Sequence, residues 1–245
     1  MTRASQDGAA ARAVLFDAYG TLFDVYSVAE LAEELFPGQG QALSVVWRDK
    51  QIEYTRLVTT CNHGAHYKPF SVITRAALEF AIKRVVDDSE NSGAAPDFLL
   101  QYQAAMEQLL AQYQHLEAFP ENLGVLKQLK GLGVATGILS NGDAAMLNAT
   151  VHAAGFDGLL DHVISVDPIR KFKTHPDAYA LGEKALGLAA KDILFVSSNA
   201  WDALGATWYG YQTLWVNRYD LPFETLGTQP TCTGHDLHDV MPFFL

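Results

Sequence analysis

The chain of 245 residues is 49% hydrophobic and 18% charged, enough apolar material for one large domain or for a core with a smaller insert. Its 28 acids against 17 bases give a formal charge of -11, which argues against nucleic-acid or anionic-membrane partners and obliges any anionic substrate to find a locally positive pocket. No apolar run approaches the ~18 residues of a membrane span, and two cysteines without metal spacing, Cys61 and Cys232, in a chain with no signal-peptide pattern, suggest a reducing, cytoplasmic setting.

Met1 to Arg12 read as a loose tail. Val14-Leu15-Phe16 then form a short buried strand, with Asp17 at its last position and a Gly20-Thr21 turn after it. In an open α/β sheet, ligands bind outside the carboxyl ends of the strands, so an acid there is placed for chemistry. Beyond this point the pattern is helical as far as His115. Ser27 to Phe36 is closed by Pro37-Gly38, Ser44 to Thr59 and Ser71 to Val86 follow, and Asp87 to Asp97 is a loop. Leu99, Tyr102, Met106, Leu109 and Tyr113 recur at helical steps of one amphipathic face. Residues 25–115 therefore read as a helical cap inserted over the strand's carboxyl edge, between core segments 1–24 and 116–245.

From Pro120 helices and strands alternate. Asn122 to Leu132 is helical, and Val134 to Leu139 is a strand ending in Ser140-Asn141-Gly142. A helix through Ala154 and a strand from His162 to Val166 come next. A loop with Lys171 and Lys173 leads to a helix from Pro176 to Leu188. Ile193 to Val196 is a strand ending in Ser197-Ser198-Asn199, and Asp202 to Tyr209 is helical. Thr213 to Val216 reads as the last clear strand, with a surface connection after Pro222 and a final helix from Asp236. Such alternation implies an α/β fold, a Rossmann-like parallel sheet with helices on both faces.

Three strand ends thus share one edge: Asp17, Ser140-Asn141, and Ser197-Ser198-Asn199 with Asp202. Lys173 lies between the last two in sequence. Each alone has a plainer explanation. Ser140 and Ser197 are good helix N-caps, Lys173 can be a solvated loop lysine, and Asp202 suits the first turn of its helix. His63 with His66, and His235 with His238, stand three apart, but no acid or cysteine completes a metal set around either pair.

The order Asp, Ser, Lys, Asp on successive strand ends resembles the haloacid dehalogenase-like superfamily. The likeness sharpens at Phe16-Asp17-Ala18-Tyr19-Gly20-Thr21-Leu22-Phe23-Asp24-Val25, Leu139-Ser140-Asn141-Gly142 and Phe195-Val196-Ser197-Ser198-Asn199-Ala200-Trp201-Asp202. Together with Trp47-Arg48 and Gln51-Ile52-Glu53-Tyr54, these look like the (S)-2-haloacid dehalogenases. Phosphatases of the superfamily carry an acid two residues after the nucleophile; here that position is Tyr19. A metal-dependent phosphatase and a non-catalytic binding protein on the same fold are the competing readings.

The resemblance implies two chemical steps without metal or other cofactor. Asp17 displaces halide from carbon 2 of a short haloacid, and water then attacks the aspartyl ester, giving the inverted 2-hydroxy acid. It implies Lys173, in preference to Lys171, as the cation beside Asp17, in a spacing to Tyr179 that fits the family. Thr21, Ser197 and Asn199 orient Asp17, and Asp202 positions or deprotonates the water. Arg48 receives the halide with Asn141. Ser140, Asn141 and the backbone N–H groups of Ala18 and Tyr19 hold the substrate carboxylate, while Tyr19 and Trp201 wall the pocket and Tyr179 joins the substrate-binding set. The partners implied are the small haloacid, its halide and a second copy of the chain in a homodimer.

Overall fold

A computed structural model describes residues 2–3, 10–86 and 98–245. The loop expected at Asp87 to Asp97 lies outside them. Seven strands make one sheet: β1 (Thr2–Arg3), β2 (Ala13–Phe16), β3 (Ala135–Ser140), β4 (His162–Ser165), β5 (Ile193–Ser197), β6 (Gln212–Val216) and β7 (Cys232–Gly234). Their spatial order is β1-β7-β6-β5-β2-β3-β4. Every pairing is parallel except β1 with β7. β2 lies between β3 and β5, with Phe16 level with both Ile138 and Val196. The chain runs outward from β2 on one side and then returns to build the other, so the topological switch point falls at the carboxyl end of β2.

Two expectations need correction at the sheet's far edge. Cys232–Gly234 is a strand parallel to β6, and Thr2–Arg3 of the supposed tail pairs with it. Three residues in a stretch rich in Gly, Thr and Pro carry too little periodicity to announce a strand; the exposed ladder of β6 supplies the pairing. The final helix from Asp236 is a short 3₁₀ segment, Leu237–Phe243, with Pro242 inside it.

The helices follow the apolar spacing. Between β2 and β3 come α1 (Ala29–Leu35), α2 (Gly40–Thr60), α3 (Phe70–Val85), α4 (Phe98–Gln101) and α5 (Gln103–Gln112). α6 (Asn122–Gly131), α7 (Ala144–Ala153), α8 (Pro176–Leu186) and α9 (Ala200–Tyr209) surround the sheet. Pro176 occupies the first turn of α8, where no N–H partner is lost, and Gly187 ends it in the left-handed region. α2 buries Leu43, Trp47 and Gln51 toward α3, with Trp47 Nε1 donating to the Thr74 carbonyl at 2.8 Å. β2 and β5 are enclosed throughout, as strands covered on both faces must be. The chain leaves the sheet side through Phe23 and Asp24 and returns through Glu117 to Phe119. A bridge between Phe23 and Ala118 and the bond from Asp24 N to Glu117 O (2.8 Å) fasten the two passages together.

Candidate active site

Asp17 is the residue immediately after β2, at the switch point, and its N–H still donates to Val196 O at 2.9 Å. The chain then folds sharply. The Ala18 carbonyl accepts from the N–H groups of Thr21, Leu22 and Phe23, and Gly20 holds φ +90, a conformation that side chains disfavour. A Cβ at Gly20 would also meet the Asn199 amide at 3.5 Å. This turn sets Thr21 beneath the carboxylate.

Asp17 is 6% exposed, and its two oxygens have different surroundings. Oδ2 receives Asn199 Nδ2 at 2.7 Å and the hydroxyls of Thr21 and Ser197 at 3.3 and 3.5 Å. Thr21 Oγ1 accepts from Ser198 N at 2.8 Å, which turns its own proton toward Asp17. Oδ1 faces Lys173 Nζ at 3.0 Å, and the same ammonium lies 2.9 Å from Asp202 Oδ2. Lys173 is 1% exposed, whereas Lys171 is a surface residue paired with Asp177. Of the two lysines, Lys173 is the one brought to the carboxylates.

Asn199 is the N-cap of α9 but makes no side-chain cap. Its amide is engaged elsewhere, with Asp17 Oδ2 and with Tyr19 O at 3.0 Å. Ser197 Oγ accepts the Asn199 N–H at 3.1 Å. The strand-end residues therefore turn inward toward one carboxylate.

The charges in this group shape one another. Burial pulls the Lys173 pKa down, but the adjoining carboxylates of Asp17 and Asp202 outweigh it and hold the ammonium above the ordinary lysine value. For Asp202, burial raises the carboxyl, Lys173 opposes it, and the balance stands at about 6. That is an apt value for a group taking a proton near neutrality.

Above Asp17 lies a small cavity, lined by Asp17, Tyr19, Arg48, Ser140, Asn141 and Trp201, with Gln51, Ile52, Thr55 and Phe70 completing the wall. Of the last four, Gln51 and Ile52 enter the sequence reading only as part of the resemblance, with no site role, and Thr55 and Phe70 are not singled out. Gln51, Ile52 and Thr55 follow Arg48 at steps of 3, 4 and 7 along α2, so helical spacing from Arg48 was the signal that could have found them. Arg48 is 9% exposed, and its Nη2 donates to Tyr19 O at 3.1 Å and to Asn199 Oδ1 at 3.2 Å. Asn141 Oδ1 accepts the Lys173 N–H at 2.9 Å, and Ser140 Oγ accepts from Gly142 N at 3.1 Å. The Tyr19 ring stacks with Phe70 and Tyr113, centroids 5.4 and 5.6 Å away.

One expected substrate contact, Tyr179, lies behind the site. Tyr179 is fully buried and away from the cavity wall; its hydroxyl donates to Asp202 Oδ1 at 2.8 Å, so it steadies the acid from behind. The Ala18 side chain is fully buried, so the part expected of this residue falls to its backbone N–H. Among the described residues, no three His, Cys, Asp or Glu side chains gather as a metal set.

Residues 11–210 match the family model for haloacid dehalogenase-like hydrolases. The chain is 41% identical over 221 residues to haloacetate dehalogenase H-2 of Moraxella sp. (strain B), covering 90% of this chain and 92% of that one. Its fold is similar to the crystal structure of the L-2-haloacid dehalogenase RSc1362, at TM-score 0.87 and 50% identity over 96% of this chain and 99% of that one. It is also similar to the L-2-haloacid dehalogenase of Xanthobacter autotrophicus with chloropropionic acid covalently bound. That match has TM-score 0.81 and 34% identity over 94% of this chain and 96% of that one.

Proposed function

The chain belongs to the haloacid dehalogenase-like hydrolases, and from that premise we propose that it hydrolyses short (S)-2-haloacids to (R)-2-hydroxy acids with release of halide. The observation that carries the proposal is the Lys173 ammonium between Asp17 and Asp202, beneath a small cavity that also presents Arg48 and Asn141. The cavity is tight, its walls of Tyr19, Phe70 and Trp201 closing in on Asp17, which suits acids of two or three carbons.

In this reading Asp17 Oδ1, with one donor against three at Oδ2, keeps the lone pair that attacks carbon 2 from the face opposite the halogen. The carbon–oxygen bond forms as the carbon–halogen bond breaks, and the halide leaves with the electron pair. Nucleophile and substrate are both anions, and at ~4 Å and an effective dielectric of ~20 they repel by about 4 kcal/mol. Lys173 offsets that repulsion. Asn141, Ser140 and the N–H groups of Ala18 and Tyr19 hold the substrate carboxylate, and Arg48 receives the departing halide. A halide leaves as a stable anion and needs no acid, which is consistent with Tyr19 at the position beyond Ala18.

Water then adds to the Asp17 ester carbonyl, giving one proton to Asp202. Oδ2 becomes the oxyanion of that tetrahedral intermediate, facing the donors of Asn199, Thr21 and Ser197. Collapse breaks the bond between Cγ and Oδ1. The hydroxy acid departs with the oxygen that belonged to Asp17, and its second proton comes from the attacking water, while Asp202 returns the first to solvent. Inversion at carbon 2 survives because the second attack occurs at the enzyme's own carbonyl.

Helices α1–α5, within residues 25–115, serve as the cap that closes the cavity and supplies Arg48. We place the enzyme in the cytoplasm as a homodimer. Cys61 and Cys232 form no disulfide, in keeping with a reducing compartment, and no described helix is long and apolar enough to cross a membrane. Halide release from the two enantiomers of 2-chloropropionate, measured with chelator present, tests the proposal. Release from the (S) form is expected. Turnover of a phosphate ester with added magnesium, and no halide release, would overturn it.

A further inference from the structure

Behind the turn that carries Asp17, on the side away from the cavity, an arginine is enclosed where no substrate reaches it. Arg218 follows β6 with its side chain only 8% exposed, its guanidinium carbon 3.7 Å from the ring centre of Phe119. Nη2 lies 2.7 Å from Glu121 Oε1 and donates to the Thr21 carbonyl at 3.2 Å. The adjoining Asn122 is fully buried and gives Nδ2 to Leu22 O at 2.8 Å and to Thr21 O at 3.4 Å. Leu22 O also accepts from Phe119 N at 3.3 Å. Two side chains from distant parts of the sequence therefore hold consecutive carbonyls of the nucleophile turn.

An enclosed ion pair such as Arg218 with Glu121 is a weak device for stability, since desolvating both charges offsets much of their attraction. Its placement accounts for it better. Thr21 is held at both ends, its carbonyl by Arg218 and Asn122, its hydroxyl by Ser198 N. The bond that matters, Thr21 Oγ1 to Asp17 Oδ2, is already 3.3 Å long, so rotation of the Thr21 peptide by a few tenths of an ångström breaks it. Arg218 also touches Phe119 and Glu121 where the chain returns from the helical insertion, and so ties that passage to the same turn.

We infer that Arg218 is a positioning residue for the hydrolysis half-reaction, fixing the Thr21 backbone so that the Thr21 hydroxyl stays on the Asp17 oxygen that becomes the oxyanion. The inference rests on the proposed role of Asp17 as nucleophile.

A double-mutant cycle on the full chain tests it, with Arg218→Met, Thr21→Val and the two combined. Steady-state halide release and mass spectrometry of rapidly quenched enzyme, which detects the ester on Asp17, are the readouts. Arg218→Met is expected to lower kcat about tenfold, the loss of one hydrogen bond at ~1.4 kcal/mol, with KM falling in step, kcat/KM within about twofold and ester accumulating. In the Thr21→Val background the same change is expected to cost nothing further in kcat. Where Arg218→Met fails to fold, Asn122→Ser loosens the other grip with the ion pair intact, and the same pattern is expected. Equal losses in both backgrounds, a rise in KM at unchanged kcat, or wild-type ester levels would overturn the inference while the reading of Asp17 stands. Absence of any ester in the wild-type chain would overturn that reading and the inference with it.

Discussion

Replacing Lys173 by Met keeps most of the stem's volume and removes the ammonium from between two carboxylates. Nζ stands 3.0 Å from Asp17 Oδ1 and 2.9 Å from Asp202 Oδ2, with the side chain fully enclosed. At those separations each attraction is about 5.5 kcal/mol at an effective dielectric of ~20, before desolvation is subtracted. Without it, burial drives Asp202 toward its neutral form, in which it takes no proton from water. The Asp17 carboxylate then meets the substrate carboxylate unscreened, at the ~4 kcal/mol derived above. That penalty corresponds to a fall of about 10³-fold in kcat/KM for halide release. Leaving a buried charge unpaired also costs ~3–5 kcal/mol of stability, so the variant melts earlier. Lys173→Met combined with Asp202→Asn removes the orphaned charge, and is expected to regain much of the melting temperature and none of the activity. A folded Lys173→Met enzyme within tenfold of wild type, or a double variant no more stable than the single, would refute the electrostatic argument.

Other perturbations separate the roles of neighbouring groups. Asp202 must be ionised to take a proton from water, and its pKa is raised to about 6, so kcat is expected to be full above that value and to fall as the pH drops through it. The Tyr179 hydroxyl lowers the Asp202 pKa, so Tyr179→Phe is expected to move this acid limb to higher pH; an unmoved limb would count against Asp202 as the proton acceptor. Asn199→Ala removes the shortest donor to Asp17 Oδ2 and is expected to slow ester hydrolysis by about 10²-fold, with esterified enzyme visible by mass spectrometry in the steady state. Arg48→Lys keeps the charge but is shorter and loses the planar guanidinium whose Nη2 donates to both Tyr19 O and Asn199 Oδ1. A drop of about 10- to 100-fold in kcat/KM is expected, with wild-type rates as the contrary result.

What the sequence made legible follows from where its signals are local. Val14-Leu15-Phe16 followed by Asp17 and Gly20-Thr21 is a complete strand-acid-turn unit, and the structure keeps it as one. Helix ends such as Pro176 and Gly187 are equally local. Direction is not. Tyr179 stands six residues from Lys173, which suggests a shared site, yet spacing does not tell whether the ring faces the cavity or lies behind Asp202. Lys171 and Lys173 look alike as loop lysines, and only the packing of the loop against β2 and α9 encloses one and leaves the other at the surface. β7 is three residues long, and Arg218 gains its significance from Thr21, Phe119 and Glu121, far away in the chain. Such features are set by tertiary contacts.

The central claim is that an oxygen of Asp17 is transferred to the product and replaced from water. With enzyme in excess over (S)-2-chloropropionate in ¹⁸O-water, a single turnover should leave the heavy isotope in the peptide that contains Asp17, and the lactate released should carry none at carbon 2. Heavy oxygen in that lactate with an unlabelled Asp17 peptide would mean that water attacks the substrate directly, and would contradict the account.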